Sequence, residues 1–310
     1  MKTSWKKRKK WFYLWYTILT LFCIGVISAT IIMFWVLTLN IPSFDTLAER
    51  KIEQSTKIYD RTGKVLLYDI HGNIKRTVIP FEKIPRHMKN ATVAIEDDTF
   101  YQHKGISLSS MLRAFIVNLK SGTIRQGGST ITQQLVKNAF LTPERTWTRK
   151  IKELILTLKM ERTFSKEQIL NLYLNEICYG ANNYGVEAAS QTYFGKHAED
   201  LTLAESAYLA ALPKAPTYYS PYGNHRDALE ARKTLVLKRM LNLGFISEEE
   251  FESANNEKVY FISRANEGLK APHFVMFIRE YLINKYGEDV VARQGLKVIT
   301  TLDWNLQQKA

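Results

Sequence analysis

The sequence predicts a mainly α-helical protein with a short β-hairpin region, preceded by one transmembrane helix. Two observations support this class: an uncharged run from Trp11 to Asn40, and helical spacing of apolar residues from Ile84 to about Tyr286. Between them, short alternating segments separated by glycine turns are typical of strands. The 310 residues, 45% of them hydrophobic, are enough for one large domain or two smaller ones.

The uncharged run predicts a membrane anchor. Thirty residues in helical conformation span about 45 Å, more than the ~30 Å of a hydrocarbon core. Aromatic residues at its start fit an interfacial belt, and six basic residues in the first ten predict a cytoplasmic N-terminus. A cleaved signal peptide is the alternative, but the run is longer than such peptides and no small-residue cleavage site follows it. We therefore expect a single-pass cell-membrane protein with an extracytoplasmic catalytic domain.

The net charge of the chain limits the classes of molecule that it is expected to bind. The net charge is +13, and the residues after the first ten carry +7 of it. A basic chain fits nucleic acid, but also an anionic membrane surface or a phosphorylated substrate. The anchor favours the second reading, so we predict no nucleic-acid partner. Cys23 and Cys178 form no C-x-x-C pair, which supports neither a zinc site nor a disulfide framework.

The segment that follows the anchor predicts strands. Residues 57–60, a turn at 61–63 and residues 65–68 predict a hairpin, and a second turn at 71–73 precedes a third predicted strand at 77–79. Residues 296–303 alternate like a strand, and we interpret them as the start of a further domain.

Several local signals predict the helices. An apolar stripe at helical spacing comprises Leu108, Met111, Leu112, Phe115, Ile116 and Leu119. Helix starts are predicted by Thr142-Pro143-Glu144 and by the capping boxes Ser165/Gln168, Thr202/Glu205 and Ser247/Glu250. Gly244 predicts a helix stop after residues 226–243. The glycine-rich residues 121–128 predict a mobile loop.

Three polar runs carry the candidate chemistry. In the first, residues 95–105 (IEDDTFYQHKG), Glu96, Phe100 and His103 would share one face if the run were helical. A partly buried carboxylate beside an aromatic ring and a histidine suits a general base. The alternative is an ordinary helix start with acidic residues near its N-terminus.

The other two runs supply polar and cationic groups. Residues 127–138 (GGSTITQQLVKN) place hydroxyls and amides behind two glycines, which suits binding of sugar hydroxyls and phosphate oxygens, or simply a polar helix cap. Residues 149–153 (RKIKE) place Glu153 four residues after Arg149 and three after Lys150, which by itself most often indicates a surface ion pair. No P-loop or dinucleotide fingerprint is present.

Together these runs resemble the peptidoglycan glycosyltransferase domain of class A penicillin-binding proteins and monofunctional transglycosylases. The three runs look like the family's first three motifs, in order. Residues 169–176 (ILNLYLNE) resemble the fourth motif, and residues 209–216 (LAALPKAP) with 219–221 (YSP) resemble the fifth. The resemblance covers roughly residues 84–221. Residues 298–303 (VITTLD) resemble the linker to a transpeptidase domain, whose K-T-G motif is absent here.

The resemblance implies a fold and a domain order. The fold would be a lysozyme-like glycosyltransferase domain whose cleft lies between a larger head and a smaller jaw near the membrane. The apolar stripe would belong to the jaw and partly face lipid, with an interior-facing core helix as the alternative. We predict a basic tail at 1–10, a transmembrane helix at 11–40, a connector with short strands at 41–83, the glycosyltransferase domain at 84–290 and a linker at 291–310.

The resemblance also implies roles for individual residues. Glu96 would be the general base, and Glu153 would hold a divalent cation (Mg or Mn) or orient a diphosphate. Substrate-binding roles fall to Asp97, Phe100, His103, Ser129, Thr130, Gln133, Gln134, Lys137, Asn138, Arg145, Arg149 and Lys152. The fourth and fifth motifs would be mainly structural.

The expected reaction polymerises lipid II into β-1,4-linked glycan with inversion and release of undecaprenyl pyrophosphate. Its partners would be lipid II, the growing glycan strand, the cytoplasmic membrane and other cell-wall synthesis or division proteins. Two alternatives come from other classes. A lysozyme-like hydrolase needs neither a lipid carrier nor cations beside its cleft. A non-catalytic membrane scaffold has no need to keep Glu96 and Glu153.

Overall fold

The computed structural model describes residues 2–38, 54–70, 75–122, 127–141, 146–262 and 270–309. The chain divides into two compact units, Met1–Phe44 and Asp45–Ala310. The first contains the helix α1 (Lys2–Thr38). Its window Trp11–Ser28 has a mean hydropathy of 1.7, and α1 is the one helix among the described residues that is long and apolar enough to cross a membrane.

The second unit contains a three-stranded sheet built on the predicted hairpin. Strands β1 (Thr56–Tyr59) and β2 (Leu66–Ile70) pair antiparallel. Strand β6 (Lys297–Ile299) lies parallel to β1 on its other side, with Lys297 opposite Lys57. The hairpin is confirmed, and the strand predicted near the C-terminal end forms at β6.

This sheet has its own apolar core. It packs against two helices that follow the helical domain, α11 (Pro272–Tyr286) and α12 (Glu288–Arg293). The fully or nearly buried members of that core are Ile58, Leu67, Ile70, Val275, Leu282 and Val291. The segment predicted as a linker is therefore folded onto the connector that precedes the helical domain.

A second small sheet corrects one prediction. The strand predicted at 77–79 is wrong, because the paired strand is β3 (Lys75–Arg76), which lies parallel to β5 (Asn183–Tyr184). Strand β4 (Cys178–Gly180) completes this sheet antiparallel to β5. The amide of Ile79 donates instead to the Asn175 side chain at 3.0 Å. A side-chain acceptor has thus replaced a strand partner.

The helical domain lies between the two sheets in sequence. Its helices are α2 (Arg86–Glu96), α3 (Leu108–Ser121), α4 (Ile131–Phe140), α5 (Trp147–Thr163), α6 (Lys166–Glu176), α7 (Val186–Phe194), α8 (Leu203–Ala211), α9 (Arg226–Asn242) and α10 (Glu248–Asn256). A short helix α13 (Trp304–Gln307) follows β6. Helix α2 packs against α8 and α9, whereas α4 packs against α5 and α6. The mainly helical class is therefore confirmed.

The predicted caps explain where several helices begin. Helices α6, α8 and α10 each begin with the capping box that the sequence predicts. Gly244, at φ +69°, follows α9 as expected of a helix stop. The start signal at 142–144 lies outside the described residues, and the cap of α5 is Thr146. Part of the loop predicted at 121–128 also lies outside them.

The apolar stripe of α3 faces outward. Leu108 and Leu119 are 77% and 72% exposed, and the other four members of the stripe are exposed as well. The interior-facing alternative is therefore wrong. Asp98 pairs with Arg113 of α3 at 2.9 Å, which attaches this helix to the end of α2.

The Gly185 backbone gives a stability prediction. Gly185 precedes α7 at φ +83°, and an added Cβ would lie 2.7 Å from the carbonyl oxygen of Asn175. We expect Gly185→Ala to lower the free energy of unfolding by roughly 2–4 kcal/mol, because steric overlap adds to backbone strain. Gly244→Ala is the matched control, since φ is +69° with open space around it, and should cost about 1 kcal/mol. Equal losses in denaturant titrations would contradict this account.

Candidate active site

A cavity of about 350 Å³ opens where α2 ends. Its walls come from the first run, the second run, the inner side of α3, the segment after α8 and the helix α9. The lining residues are Ile95, Glu96, Asp97, Asp98, Ser110, Arg113, Val117, Gly127, Gly128, Ser129, Thr130, Gln134, Lys214, Arg232, Leu235 and Arg239. The fold therefore brings the first two predicted runs together.

The predicted common face of Glu96, Phe100 and His103 requires a helix, and the first run is not helical beyond Glu96. Helix α2 ends at Glu96, and Asp97 leaves the helical conformation, with φ −159° and ψ 80°. Residues 97–105 then form turns. Glu96, Phe100 and His103 consequently share no helix face. Glu96 and Asp97 have different surroundings, because the Glu96 carboxylate meets the side chain of Gln134 and the Asp97 carboxylate meets the amide of Ile131.

Glu96 is fixed on one side and free on the other. Its side chain is 12% exposed, and Oε2 accepts a hydrogen bond from Gln134 Nε2 at 2.7 Å. Oε1 is buried and accepts no hydrogen bond from the described residues. Among the described residues, Arg232 is the one cation within 4.0 Å of this carboxylate, and its Nη2 lies 3.8 Å from Oε1. One carboxylate oxygen is thus anchored while the other can accept a proton.

The anchor on Glu96 is itself oriented by a buried phenol. The hydroxyl of Tyr173 donates to Gln134 Oε1 at 3.3 Å, so the amide must present its NH₂ group to Glu96. Burial, with the Glu96 carboxylate adding to it, raises the pKa of Tyr173 well above its usual range. The phenol therefore stays a donor, and the chain from Tyr173 through Gln134 to Glu96 keeps one direction.

Asp97 joins the first run to the second. Its buried carboxylate accepts hydrogen bonds from His103 Nε2 at 3.0 Å and from the Ile131 amide, the first residue of α4, at 3.1 Å. His103 Nδ1 accepts from the Gly105 amide, which leaves the proton on Nε2. An acidic group at a helix N-terminus is also stabilised by the helix dipole. Asp97 and His103 thus brace the cavity wall.

The start of α4 is capped by a second pair of predicted residues. Thr130 and Gln133 form a capping box, and Thr130 Oγ1 also donates to the Gly105 carbonyl at 2.6 Å. Both side chains are buried. Phe100 is fully buried as well, with its ring edge-on to His103 and the Lys166 ammonium 4.4 Å from its centroid. These three residues support the site from the interior.

The second predicted carboxylate lies on α5. Glu153 is buried and accepts a hydrogen bond from Lys150. Lys137 of α4 is half-buried and lies within electrostatic range of both Glu153 and Glu96. Burial lowers the pKa of the Lys137 ammonium, and Glu153 opposes that shift. The Lys137 ammonium therefore interacts electrostatically with both carboxylates.

The remaining predicted residues differ in their exposure. Ser129 is exposed and lines the cavity, and Asn138 is exposed on α4. Arg149 and Lys152 are half-buried on α5, and the Arg149 charge acts on Lys137. Arg145 lies outside the described residues. All of these substrate-binding assignments stay predictions.

The surroundings of Glu153 bear on the expected divalent cation. Among the described residues, no group of three or more His, Cys, Asp or Glu side chains could hold a metal ion. Glu153 is a single carboxylate, and the charges around it come from Lys150, Lys137 and Arg149. Protein cations repel a divalent ion, so these residues do not fit a metal site formed by the protein alone.

The sequence reasoning missed four cations in the cavity wall. Arg113 belongs to α3, where it pairs with Asp98. Lys214 lies in the run interpreted as structural, and Arg232 and Arg239 belong to α9. Arg239 donates to the carbonyls of Ala94 and Ile95, both at 3.3 Å. The signal was available in α9, because Arg232 occupies a position of its buried stripe with Leu229, Val236 and Met240. A cation on an apolar stripe needs a buried partner.

Comparison with known proteins gives a family match. The family model described as Transglycosylase matches residues 63–241. Penicillin-binding protein 1A from Aquifex aeolicus (strain VF5) is 46% identical over 295 residues, which cover 93% of this chain and 40% of the relative. The Pseudomonas aeruginosa protein of the same name is 40% identical over 301 residues, covering 96% and 36%.

One solved structure is also similar. The crystal structure of penicillin-binding protein 1A from Haemophilus influenzae is 27% identical, with a TM-score of 0.43, covering 82% of this chain and 27% of that one. The chain spans about two fifths of the length of the curated relatives it matches.

The Asp97 brace gives a prediction about stability. Asp97→Asn removes the charge and turns an NH₂ group towards His103 Nε2–H or the Ile131 amide, so that one donor loses its acceptor. We expect the free energy of unfolding to fall by about 1–3 kcal/mol in denaturant titrations. Asp98→Asn is the matched control, because its pairing with Arg113 is partly exposed and should contribute under about 1 kcal/mol. The account fails if both variants lose the same stability.

Proposed function

This chain belongs to the Transglycosylase family, and we propose that it is a peptidoglycan glycosyltransferase that polymerises lipid II into β-1,4-linked glycan strands. The observation that carries the proposal is the state of Glu96. Its Oε2 is anchored by Gln134, while its buried Oε1 accepts no hydrogen bond from the described residues, in a cavity walled by cations. A weak hydroxyl nucleophile needs such a base.

The proposed step is a single displacement. Glu96 takes the proton from the 4-hydroxyl of the acceptor's N-acetylglucosamine. That oxygen bonds to the anomeric carbon of the donor's N-acetylmuramic acid, on the face opposite the diphosphate. The bond from that carbon to the diphosphate breaks, and undecaprenyl pyrophosphate leaves with the electron pair. One displacement inverts the anomeric centre, which gives the β-linkage.

The leaving diphosphate needs charge neutralisation more than a proton. We propose that Lys137, Arg149 and Lys152 supply it, since the first is close to both carboxylates and the others lie on α5. Glu153 would hold Lys137 and Lys150 in place. Glu153 would be the single protein ligand of a Mg²⁺ or Mn²⁺ ion held mainly by the diphosphate oxygens, and such an ion would help to neutralise their charge.

We propose that α1 anchors the protein in the cytoplasmic membrane with the catalytic domain outside. Its length and hydropathy support spanning, and the basic residues of the first ten support the orientation. The exposed apolar stripe of α3 then gives the domain a surface for the same lipid. The relatives are named penicillin-binding proteins, and this chain would supply the glycosyltransferase half of such a protein.

A hydrolase is the second candidate, but the cavity argues against it. Hydrolysis by two carboxylates requires an acid near the leaving oxygen. The charged groups within reach of Glu96 are mostly cations, and they suit an anionic leaving group better. A scaffold without activity does not account for a proton acceptor held in one orientation by Gln134 and Tyr173.

Replacing Glu96 tests the reaction and its base. Glu96→Gln keeps the shape of the side chain but cannot accept the proton, so polymerisation of purified lipid II should fall ~10²-fold or more. The measurement is glycan chain length on a gel, with detergent-solubilised protein. Glu167→Gln, at an exposed position of α6, is the control and should keep full activity. Cleavage of preformed glycan by the wild type, without polymerisation, would favour the hydrolase.

Lys137 gives a pH prediction. Burial lowers its pKa, so its charge is lost at a lower pH than the usual ~10.4. Polymerisation should therefore decline early on the alkaline side. Lys137→Arg stays charged there and should extend activity to higher pH, whereas Lys137→Ala should weaken donor binding at every pH.

The control for this prediction is Lys258→Arg, an exposed lysine, which should leave the alkaline decline unchanged. An alkaline decline at the same pH in wild type and Lys137→Arg would show that Lys137 does not set it. Unchanged kinetics in Lys137→Ala would remove the residue from diphosphate binding.

A further inference from the structure

Arg232 is a buried cation whose head is held from two sides. It is 9% exposed on α9, and its Nε donates to the Ala211 carbonyl at 2.8 Å. Its guanidinium carbon lies 5.3 Å from the centroid of the Tyr219 ring. These contacts fix where the charge lies without using the Nη2 group that approaches Glu96.

Arg232 and Glu96 form an ion pair without a hydrogen bond. Nη2 lies 3.8 Å from Glu96 Oε1, which is short enough for a strong charge interaction but too long for a hydrogen bond. Oε1 accepts no hydrogen bond from the described residues, although it is buried. The cation therefore favours the ionised carboxylate while leaving the lone pairs of Oε1 unoccupied.

We propose that Arg232 is a positioning residue that keeps Glu96 ionised and its Oε1 available for the acceptor's proton. The inference rests on the proposed function, in which Glu96 is the base. A direct hydrogen bond would also favour ionisation, but it would occupy the oxygen that must react. The anchored guanidinium gives the charge without that bond.

Other charged groups also face Glu96, and they differ from Arg232. Lys137 approaches from α4, and Lys214, which is exposed, from the segment after α8. Arg239 donates to backbone carbonyls of α2. Asp97 is the chain neighbour, the pair Asp98 and Arg113 lies in the cavity wall, and the buried phenols are Tyr173 and Tyr179.

Arg232 combines burial with contact. Lys214 is exposed and therefore more strongly screened by solvent, and Arg239 makes its described bonds to the backbone. Burial lowers the pKa of Arg232, and Glu96 opposes that shift. An arginine stays charged throughout the pH range in which a carboxylate base titrates, so its effect on Glu96 is constant there.

The test is the acid limb of the pH–rate profile, measured as kcat/KM for lipid II polymerisation by the full chain. Removing the cation disfavours the ionised carboxylate, so activity should be lost at a higher pH as the solution is acidified. In Arg232→Met, the midpoint of the acid limb should rise by about 1 pH unit or more. Arg232→Lys, of similar length and charged, should bring the midpoint most of the way back.

Two further variants separate charge from packing. Arg232→Gln is neutral but keeps a donor for the Ala211 carbonyl, so it replaces Arg232→Met should that variant not fold. Lys238→Met removes an exposed charge from the same helix, and its acid limb should match the wild type. Thermal melting of each variant gives its folded state.

Each outcome supports or overturns the role of Arg232. An acid limb at the wild-type pH in the folded neutral variants would overturn the inference, as would equal displacement in Arg232→Lys and Arg232→Met. Undiminished polymerisation by Glu96→Gln would overturn Glu96 as the base, and the role of Arg232 with it, whereas absence of polymerisation by the folded wild type would overturn the proposed function. Loss of activity in Glu96→Gln together with an unshifted limb in Arg232→Gln would overturn the role of Arg232 alone.

Discussion

The buried carboxylate of Asp97 is the contact on which the rest of the site depends. It accepts from the amide of Ile131, 34 positions later, and from His103 in its own turn. Because this bond fixes where α4 begins relative to the end of α2, it also fixes the distance from Gln134 to Glu96. The buried charge is offset by a helix N-terminus and an imidazole N–H, which makes its burial tolerable.

A second constraint divides the site electrostatically. Glu96 has Lys137 on the side of Glu153, and Arg232 and Lys214 on the side of α9. A carboxylate between two groups of cations is stabilised as an anion, and the cations remain to meet an anionic substrate. In the proposed reaction this arrangement would stabilise both the base and the phosphates of the substrate, with Arg232 acting mainly on Glu96 and Lys137 mainly on the diphosphate.

The sequence was most informative where signals are local. Capping boxes are read from residues three positions apart, so the starts of α6, α8 and α10 were predictable. The hairpin was predictable for the same reason. The strand at 77–79 was not, since its partner and the competing Asn175 amide lie about a hundred positions away.

The candidate site was likewise predictable only where its signals are local in the sequence. Motif resemblance located Glu96, Gln134 and Glu153, but spacing alone gave the first run a helical face that the backbone does not form. The roles of Thr130 and Gln133 as a cap were visible locally, whereas one wall of the cavity was not. This wall comes from α9. Arg232 could have been noticed as a cation on the apolar stripe of that helix, but its partner Glu96 could not, because the two residues are far apart in the sequence.

The contacts of α9 with α2 have a consequence for the order in which the protein is made. Arg239 bonds to carbonyls 145 and 144 positions earlier in the chain. While the chain is synthesised from its N-terminus, most of the catalytic motifs emerge long before this wall, and individual helices can form from their local signals. The reactive cavity is completed only when α9 arrives and closes that long loop, a step that folding theory makes slow. An unfinished chain thus carries the Glu96 carboxylate without the cations that α9 places beside it, and the cavity is complete only after nearly the whole helical domain has been synthesised.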